Sequence, residues 1–229
     1  MLASTGMIGP FLVPALLLLG LHSDVARGTT IVSELLMTCF SVIVHRNRLD
    51  KRVILAFLPG ALTVFLGANA SLAFQEELMK KAIGVFEVVI GTAILLNTRW
   101  SRRQYTRTVD SRVELVVLML ISVLAGFAKG FFGAGWGPLG IGLFLVAGLD
   151  PSIVVGSSLT SRVVLDVVGG VTYLSMNSVD YNVTVILTVA GCTAALLSVK
   201  WITAISKETL SLIIGLMVVF LGVVFSAGL

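Results

Sequence analysis

The chain has 229 residues, of which 57% are hydrophobic and 12% charged, and its mean hydropathy is +1.04. Nearly every segment is too apolar to fold with water on one face, which excludes an ordinary soluble domain. The net charge of +4 is concentrated in two loops, a pattern of membrane orientation rather than of a phosphate-binding face, so the expected partner is the lipid bilayer and not nucleic acid.

A membrane-crossing helix needs about 20 apolar residues, so the length leaves room for eight or nine membrane segments and no separate soluble domain. In chain order, polar breaks delimit apolar segments at 10–21, 25–44, 53–70 and 78–96, then at 113–130, 138–149, 152–174, 183–204 and 209–226. The second set repeats the first. Shifted by 128 positions, Gly9-Pro10 falls on Gly137-Pro138, Gly20-Leu21 on Gly148-Leu149, and Gly28-Thr29-Thr30 on Gly156-Ser157-Ser158. The shift then grows to 131, placing Gly60, Gly84 and Gly91 on Gly191, Gly215 and Gly222. The first repeat spans 1–97, a basic linker 98–112 and the second repeat 113–229. Segment 113–130 has no counterpart upstream of Met1, so the chain reads as one helix short at its start, through truncation, a misassigned start or a real loss.

The stretch from Phe11 to Leu21 has the apolar character of a signal peptide, but no basic residue precedes it and it recurs at 139–149, so it reads as structure. Cys39 and Cys192 stand alone in apolar runs without a metal-ligand pattern and read as packing residues. Neither a cofactor nor a metal is expected.

Lysine and arginine set the orientation. Arg46, Arg48, Lys51 and Arg52 follow segment 25–44, and Arg99, Arg102, Arg103, Arg107 and Arg112 fill the linker; both regions should be cytoplasmic. The acidic loop from Ser71 to Glu77 should face outward. The loop from Ser175 to Asn182, which matches the first basic loop, carries no basic residue and reads as external. Equivalent loops on opposite sides make the two repeats inverted, so the predicted fold is an all-α membrane protein of two inverted-topology repeats with short broken helices at their centres.

Segments 10–21 and 138–149 are too short to cross a hydrocarbon core of about 30 Å. Glycine-rich stretches precede both, Gly6 and Gly9 in one and Gly130, Gly133, Gly135, Trp136 and Gly137 in the other. Irregular backbone at membrane depth survives only where it is buried in protein or lines a cavity, and paired broken segments point to a transporter's binding site. The plainer reading is close helix packing, as for Gly126 and Gly130.

Spacing of four places Thr30, Glu34 and Thr38 in one column on segment 25–44, and Ser158, Arg162 and Asp166 in the matching column on 152–174. Charges near mid-membrane normally face the bundle interior. Arg162 is the candidate anchor for a small anionic substrate, with Thr29, Thr30, Ser157 and Ser158 as hydroxyl donors and Glu34 and Asp166 as carriers of a coupling proton. The plainer reading has Arg162 and Asp166 neutralise each other, with Glu34 closing the network. Lys129 reads as a snorkelling lysine at a helix end. Glu87 has no charged counterpart, since Val218 takes the equivalent place, and His45 reads as interfacial.

A glycine-rich turn, a short helix with proline, Gly-Leu and then Gly-Thr/Ser-Ser, once per half, resembles the TauE/SafE family of sulfite exporters. The matching stretches are GMIGPFLVPALLLLGLHSDVARGTT from Gly6 to Thr30 and GAGWGPLGIGLFLVAGLDPSIVVGSSL from Gly133 to Leu159. The resemblance implies a multi-pass inner-membrane transporter that exports small anions such as sulfite or sulfoacetate. The family's triple glycine is broken at Met7-Ile8-Gly9 and again at Trp136, which could narrow the site or stack on a substrate. Two alternatives stay open, a passive anion channel and a membrane subunit of a larger complex; among partners, a second copy in a homo-oligomer also stays open. No HExxH, GxSxG or cysteine-histidine pair supports an intramembrane enzyme, so no catalytic residue is expected.

Overall fold

The computed structural model describes residues 9–44, 49–100, 112–146, 151–201 and 207–227. Gly6 and most of the basic linker lie outside the described residues. The described chain is helical throughout, without a strand: α1 (Gly9–Leu18), α2 (Ser23–Val44), α3 (Lys51–Phe57), α4 (Pro59–Ser71), α5 (Glu76–Trp100), α6 (Arg112–Phe132), a π-helix (Trp136–Ile141) continuing into α7 (Gly142–Val146), α8 (Pro151–Ser175), α9 (Tyr181–Trp201) and α10 (Lys207–Ser226). Three stretches among the described residues are long and apolar enough to cross a membrane: Ser23–Val42, Lys51–Ser71 and Arg112–Phe132. Shorter apolar helices join them, and leucines and phenylalanines such as Leu62, Leu124 and Phe220 are exposed on the exterior, where a bilayer would cover them. The protein is an all-α membrane protein.

Local sequence explains most of the boundaries. Asp50 accepts a hydrogen bond from the Arg52 amide at 2.8 Å and so starts α3. Asp180 does the same for α9 through the Val183 amide at 3.0 Å. The single helix predicted at 53–70 is divided, because Pro59 lacks an N–H and cannot continue the ladder. Leu58 nonetheless keeps α-helical angles (φ −60°, ψ −39°), so α3 and α4 run on as one span. The segment predicted at 138–149 is not a plain α-helix either: it opens as a π-helix just after Gly135, whose φ of +110° ends the preceding turn.

Glycines set the long contacts. A side chain on Gly126 would run into the Gly60 carbonyl and one on Gly130 into the Val64 carbonyl, so α4 and α6 pack backbone to backbone. On α5 and α10 the pairing is crossed, Gly84 lying against Gly222 and Gly91 against Gly215. The two helices therefore run antiparallel. The side chains of α2 and α8 meet at the centre of the molecule.

Candidate functional site at the crossing of α2 and α8

Four ionisable side chains from three helices meet in the interior, none more than 3% exposed. Glu34 comes from α2, Lys129 from α6, and Arg162 and Asp166 from successive turns of α8. Lys129 Nζ lies 2.6 Å from Glu34 Oε2 and 2.9 Å from Asp166 Oδ1. The Arg162 guanidinium reaches Glu34 Oε2 at 2.6 Å and, through Nε, Asp166 Oδ2 at 3.3 Å. The last contact is an ion pair without hydrogen-bond alignment, and Thr38 adds a long 3.4 Å hydroxyl donation to Asp166. Two cations thus balance two carboxylates. Charge balance is what lets the group stay buried, since an unpaired charge in an apolar interior is prohibitive.

Three atoms of the cluster make no hydrogen bond, and of these Arg162 Nε and Asp166 Oδ1 still have an ion-pair contact whereas Glu34 Oε1 has none among the described residues. Glu34 Oε1 has no hydrogen-bond partner, and a side chain placed on Gly9 would come within 3.1 Å of it. The same position on Gly9 lies 3.3 Å from Ala134 Cα and from the Gly133 carbonyl. The start of the described α1 and the turn from Gly133 to Gly135 therefore touch each other beside the ion cluster. Gly133 (φ +74°) and Gly135 (φ +110°) both hold backbone angles that L residues rarely adopt, and Gly133 also lies against the Arg27 side chain. Trp136, almost fully buried, donates its indole N–H to Ser158 Oγ at 3.0 Å and packs on Phe57, so it props the π-helix against α8 and α3.

Among known proteins, the family model described as sulfite exporter TauE/SafE matches residues 1–225. The chain belongs to the sulfite exporter TauE/SafE family. It is 27% identical over 151 residues to the probable membrane transporter protein YtnM of Bacillus subtilis (strain 168), a match covering 64% of this chain but 50% of that protein. It is 26% identical over 191 residues to YjnA of the same organism, also named a probable membrane transporter protein, covering 77% of this chain and 75% of the relative. A probable membrane transporter protein of Xylella fastidiosa (strain 9a5c) is 24% identical over 209 residues. No solved structure matches the chain.

Within this TauE/SafE member the sequence-predicted residues divide into three sets. Glu34, Arg162 and Asp166 form the ion cluster, while Gly9, Gly133 and Gly135 make the meeting of broken segments next to it, with Gly137 buried in the following turn. The hydroxyls are already engaged. Thr29 Oγ1 accepts the Asp180 amide at 2.9 Å, and its repeat equivalent Ser157 accepts the Asp50 amide at 3.0 Å, so each ties down the start of a helix in the other half. Thr30 donates to the Ala26 carbonyl at 2.8 Å within α2, and Ser158 receives the Trp136 indole.

Lys129 corrects the reading of a snorkelling lysine. It is 1% exposed and holds two carboxylates, because α6 ends not at a membrane surface but at the buried Gly133–Gly135 turn. The signal was available: Glu34, Arg162 and Asp166 alone sum to one negative charge, and a second cation was needed. Arg27 was also missed. Its buried guanidinium donates to the Ser23 carbonyl at 2.8 Å and the Phe131 carbonyl at 2.8 Å and lies over the Tyr173 ring. The Tyr173 hydroxyl in turn donates to Gly130 O at 2.7 Å, so Arg27 and Tyr173 together cap the last carbonyls of α6.

Proposed function

We propose that this protein is a secondary transporter that exports small oxyanions or sulfonates, sulfite first among them, across the cell inner (plasma) membrane by alternating access between two inverted halves. The observation that carries the reading is the set of two cations, Arg162 and Lys129, held by Glu34 and Asp166 where the broken segments of both halves touch. A guanidinium fork donates two parallel hydrogen bonds to two oxygens of one oxyanion, and an anion arriving there competes with Glu34 and Asp166 for the same donors. Whichever carboxylate is displaced loses its cation and becomes a base for a coupling proton. Because the cluster bridges α2, α6 and α8, exchange of one anion for another on Arg162 would loosen the contact between the halves. That is the differential binding an alternating cycle needs. The crossed pairing of Gly84 with Gly222 and Gly91 with Gly215 supports the inverted relation, since a two-fold operation exchanges one pair with the other.

The test is flux in liposomes reconstituted with the purified protein, offering sulfite, sulfate, thiosulfate, sulfoacetate, taurine and carboxylates. Saturable movement of one anion class, lost in Arg162→Lys while the protein remains monodisperse, supports the reading: lysine keeps the charge and removes the fork. Equal flux in wild type and Arg162→Lys would remove Arg162 from substrate recognition. Electrical conductance far above transporter turnover would favour a passive channel.

A further inference from the structure

Glu87 lies midway along α5, is 0% exposed, and has no hydrogen-bond partner at either carboxyl oxygen. One turn before it, Ile83 packs with Val13, Leu16 and Leu17 of α1; one turn after it, Ile90 packs with Val218 of α10, with Phe86 and with Leu139 of the π-helix. The neighbouring Phe86 stacks on Phe132 and touches the position where Gly135 lacks a side chain. Glu87 is therefore set between α1 and the π-helix, the short segments of the two halves.

Among the described residues no charge answers it there. α10 carries no ionisable side chain from Thr209 to Ser226, and α1 and the π-helix carry none at all. Of the ionisable groups on α2, Asp24 binds His22 and Ser178, Arg27 binds backbone carbonyls, Glu34 belongs to the ion cluster, and the thiol of Cys39 is exposed. On α6, Lys129 belongs to the cluster and Glu114 lies in the first turn. On α5 itself, Glu76, Glu77, Lys80 and Lys81 sit toward the loop at its start, and Arg99 lies about three turns beyond Glu87. A carboxylate without a cation or donor in an apolar interior takes up a proton rather than stay charged.

We propose that Glu87 is a proton site of the transport cycle, neutral while α5 is closed against α10 and the broken segments, and ionised when those segments part and water reaches it. This deepens the transporter reading and rests on it. Glu34 and Asp166 are held by cations in the state described, so a proton carried through that state resides on a different carboxyl, and Glu87 is buried beside both short segments without a hydrogen-bond partner. Its release on one side of the membrane and recapture on the other would tie a pH gradient to movement of the anion.

The test uses the wild type, Glu87→Gln and Glu87→Leu in liposomes with radiolabelled sulfite, and a separate infrared measurement. Glu87→Gln copies the neutral acid in shape, and Glu87→Leu suits the apolar surroundings, so at least one should fold. The expected result is that wild type accumulates sulfite under an imposed pH gradient, whereas both variants retain sulfite exchange at equal pH and lose the accumulation. Unchanged accumulation in either folded variant overturns the proposal, as does loss of exchange and accumulation together. Independently of substrate, the infrared spectrum should show a protonated-carboxyl band in the wild type at neutral pH that disappears in both variants; its absence overturns the proton site. Absence of sulfite exchange in the wild type counts against the transporter reading, and the infrared band then decides the proton site by itself.

Discussion

At the scale of single residues, the interior is organised by charge balance rather than by charge alone. Lys129 and Arg162 face Glu34 and Asp166 at 2.6 to 3.3 Å, and removing one member strands its partners. Lys129→Met should destabilise the protein by about 3 to 5 kcal/mol, because two buried carboxylates then share one guanidinium. The double variant Lys129→Met with Glu34→Gln restores neutrality and should recover most of that loss, read as the midpoint of thermal unfolding in detergent. If the double variant melts below the single one, charge balance is not what holds the cluster. Three of its four members were legible in the sequence, since helical spacing and the repeat align Glu34 with Arg162 and place Asp166 one turn on. Lys129 was not, because the end of an apolar run looks the same in sequence whether the helix stops at a membrane surface or at a buried turn. Arg27 left no signal at all: two of its partners are the Phe131 carbonyl and the Tyr173 ring, which only tertiary packing brings near.

At the scale of elements, the breaks carry the design. The short segments and their glycines were readable from composition, and the helix starts at Asp50 and Asp180 follow from capping chemistry. The π-helix at Trp136–Ile141 was not readable, because nothing in its apolar pattern separates it from an α-helical turn. The turn that precedes it makes a sharp prediction. Gly135→Ala forces a residue with a Cβ to φ +110° and brings that carbon within 2.8 Å of Phe86 Cζ. The backbone strain alone costs about 1 to 2 kcal/mol, and displacing Phe86 disturbs the packing beside Glu87. If the proposed transport holds, anion flux in liposomes should fall sharply in Gly135→Ala, with the protein still monodisperse on size-exclusion chromatography. Gly20→Ala is the control: its φ of +86° brings comparable strain, but no atom lies within 4 Å of the added carbon, so flux should be little changed. The α4–α6 contact is less forgiving, since the atom facing Gly130 is the Val64 carbonyl rather than a movable side chain. Gly130→Val should lower the melting midpoint as an overpacked interface does, by an amount equivalent to about 1 to 3 kcal/mol.

At the scale of the whole molecule, hydrogen bonds sort the loops by end. The start of α2 receives one loop through Ser23, whose amide donates to Glu76 at 2.9 Å, and another through Asp24, which accepts from Ser178 at 2.8 Å. Gly28 leaves room for the Ser178 carbonyl at the same end. The loop before α5 and the loop before α9 therefore share one side of the molecule. The loop before α3 is tied through Asp50 to Ser157, early in α8, and α8 reaches the first side only at its far end, Ser175. The positive-inside rule assigns the side of Asp50, Lys51 and Arg52 to the cytoplasm, which places Gln75 and Ser175 outside. In a background with Cys39→Ser and Cys192→Ser, single cysteines at Gln75→Cys and Ser175→Cys should both react with a membrane-impermeant maleimide on intact cells. A cysteine at Arg107→Cys in the basic linker should react only after permeabilisation. If the first two label from opposite sides, the hydrogen bonds that join both loops to α2 are not those of the protein in its membrane. If both are protected until the cells are opened while Arg107→Cys reacts outside, the fold stands and its orientation in the membrane is the reverse of the one the charge bias assigns.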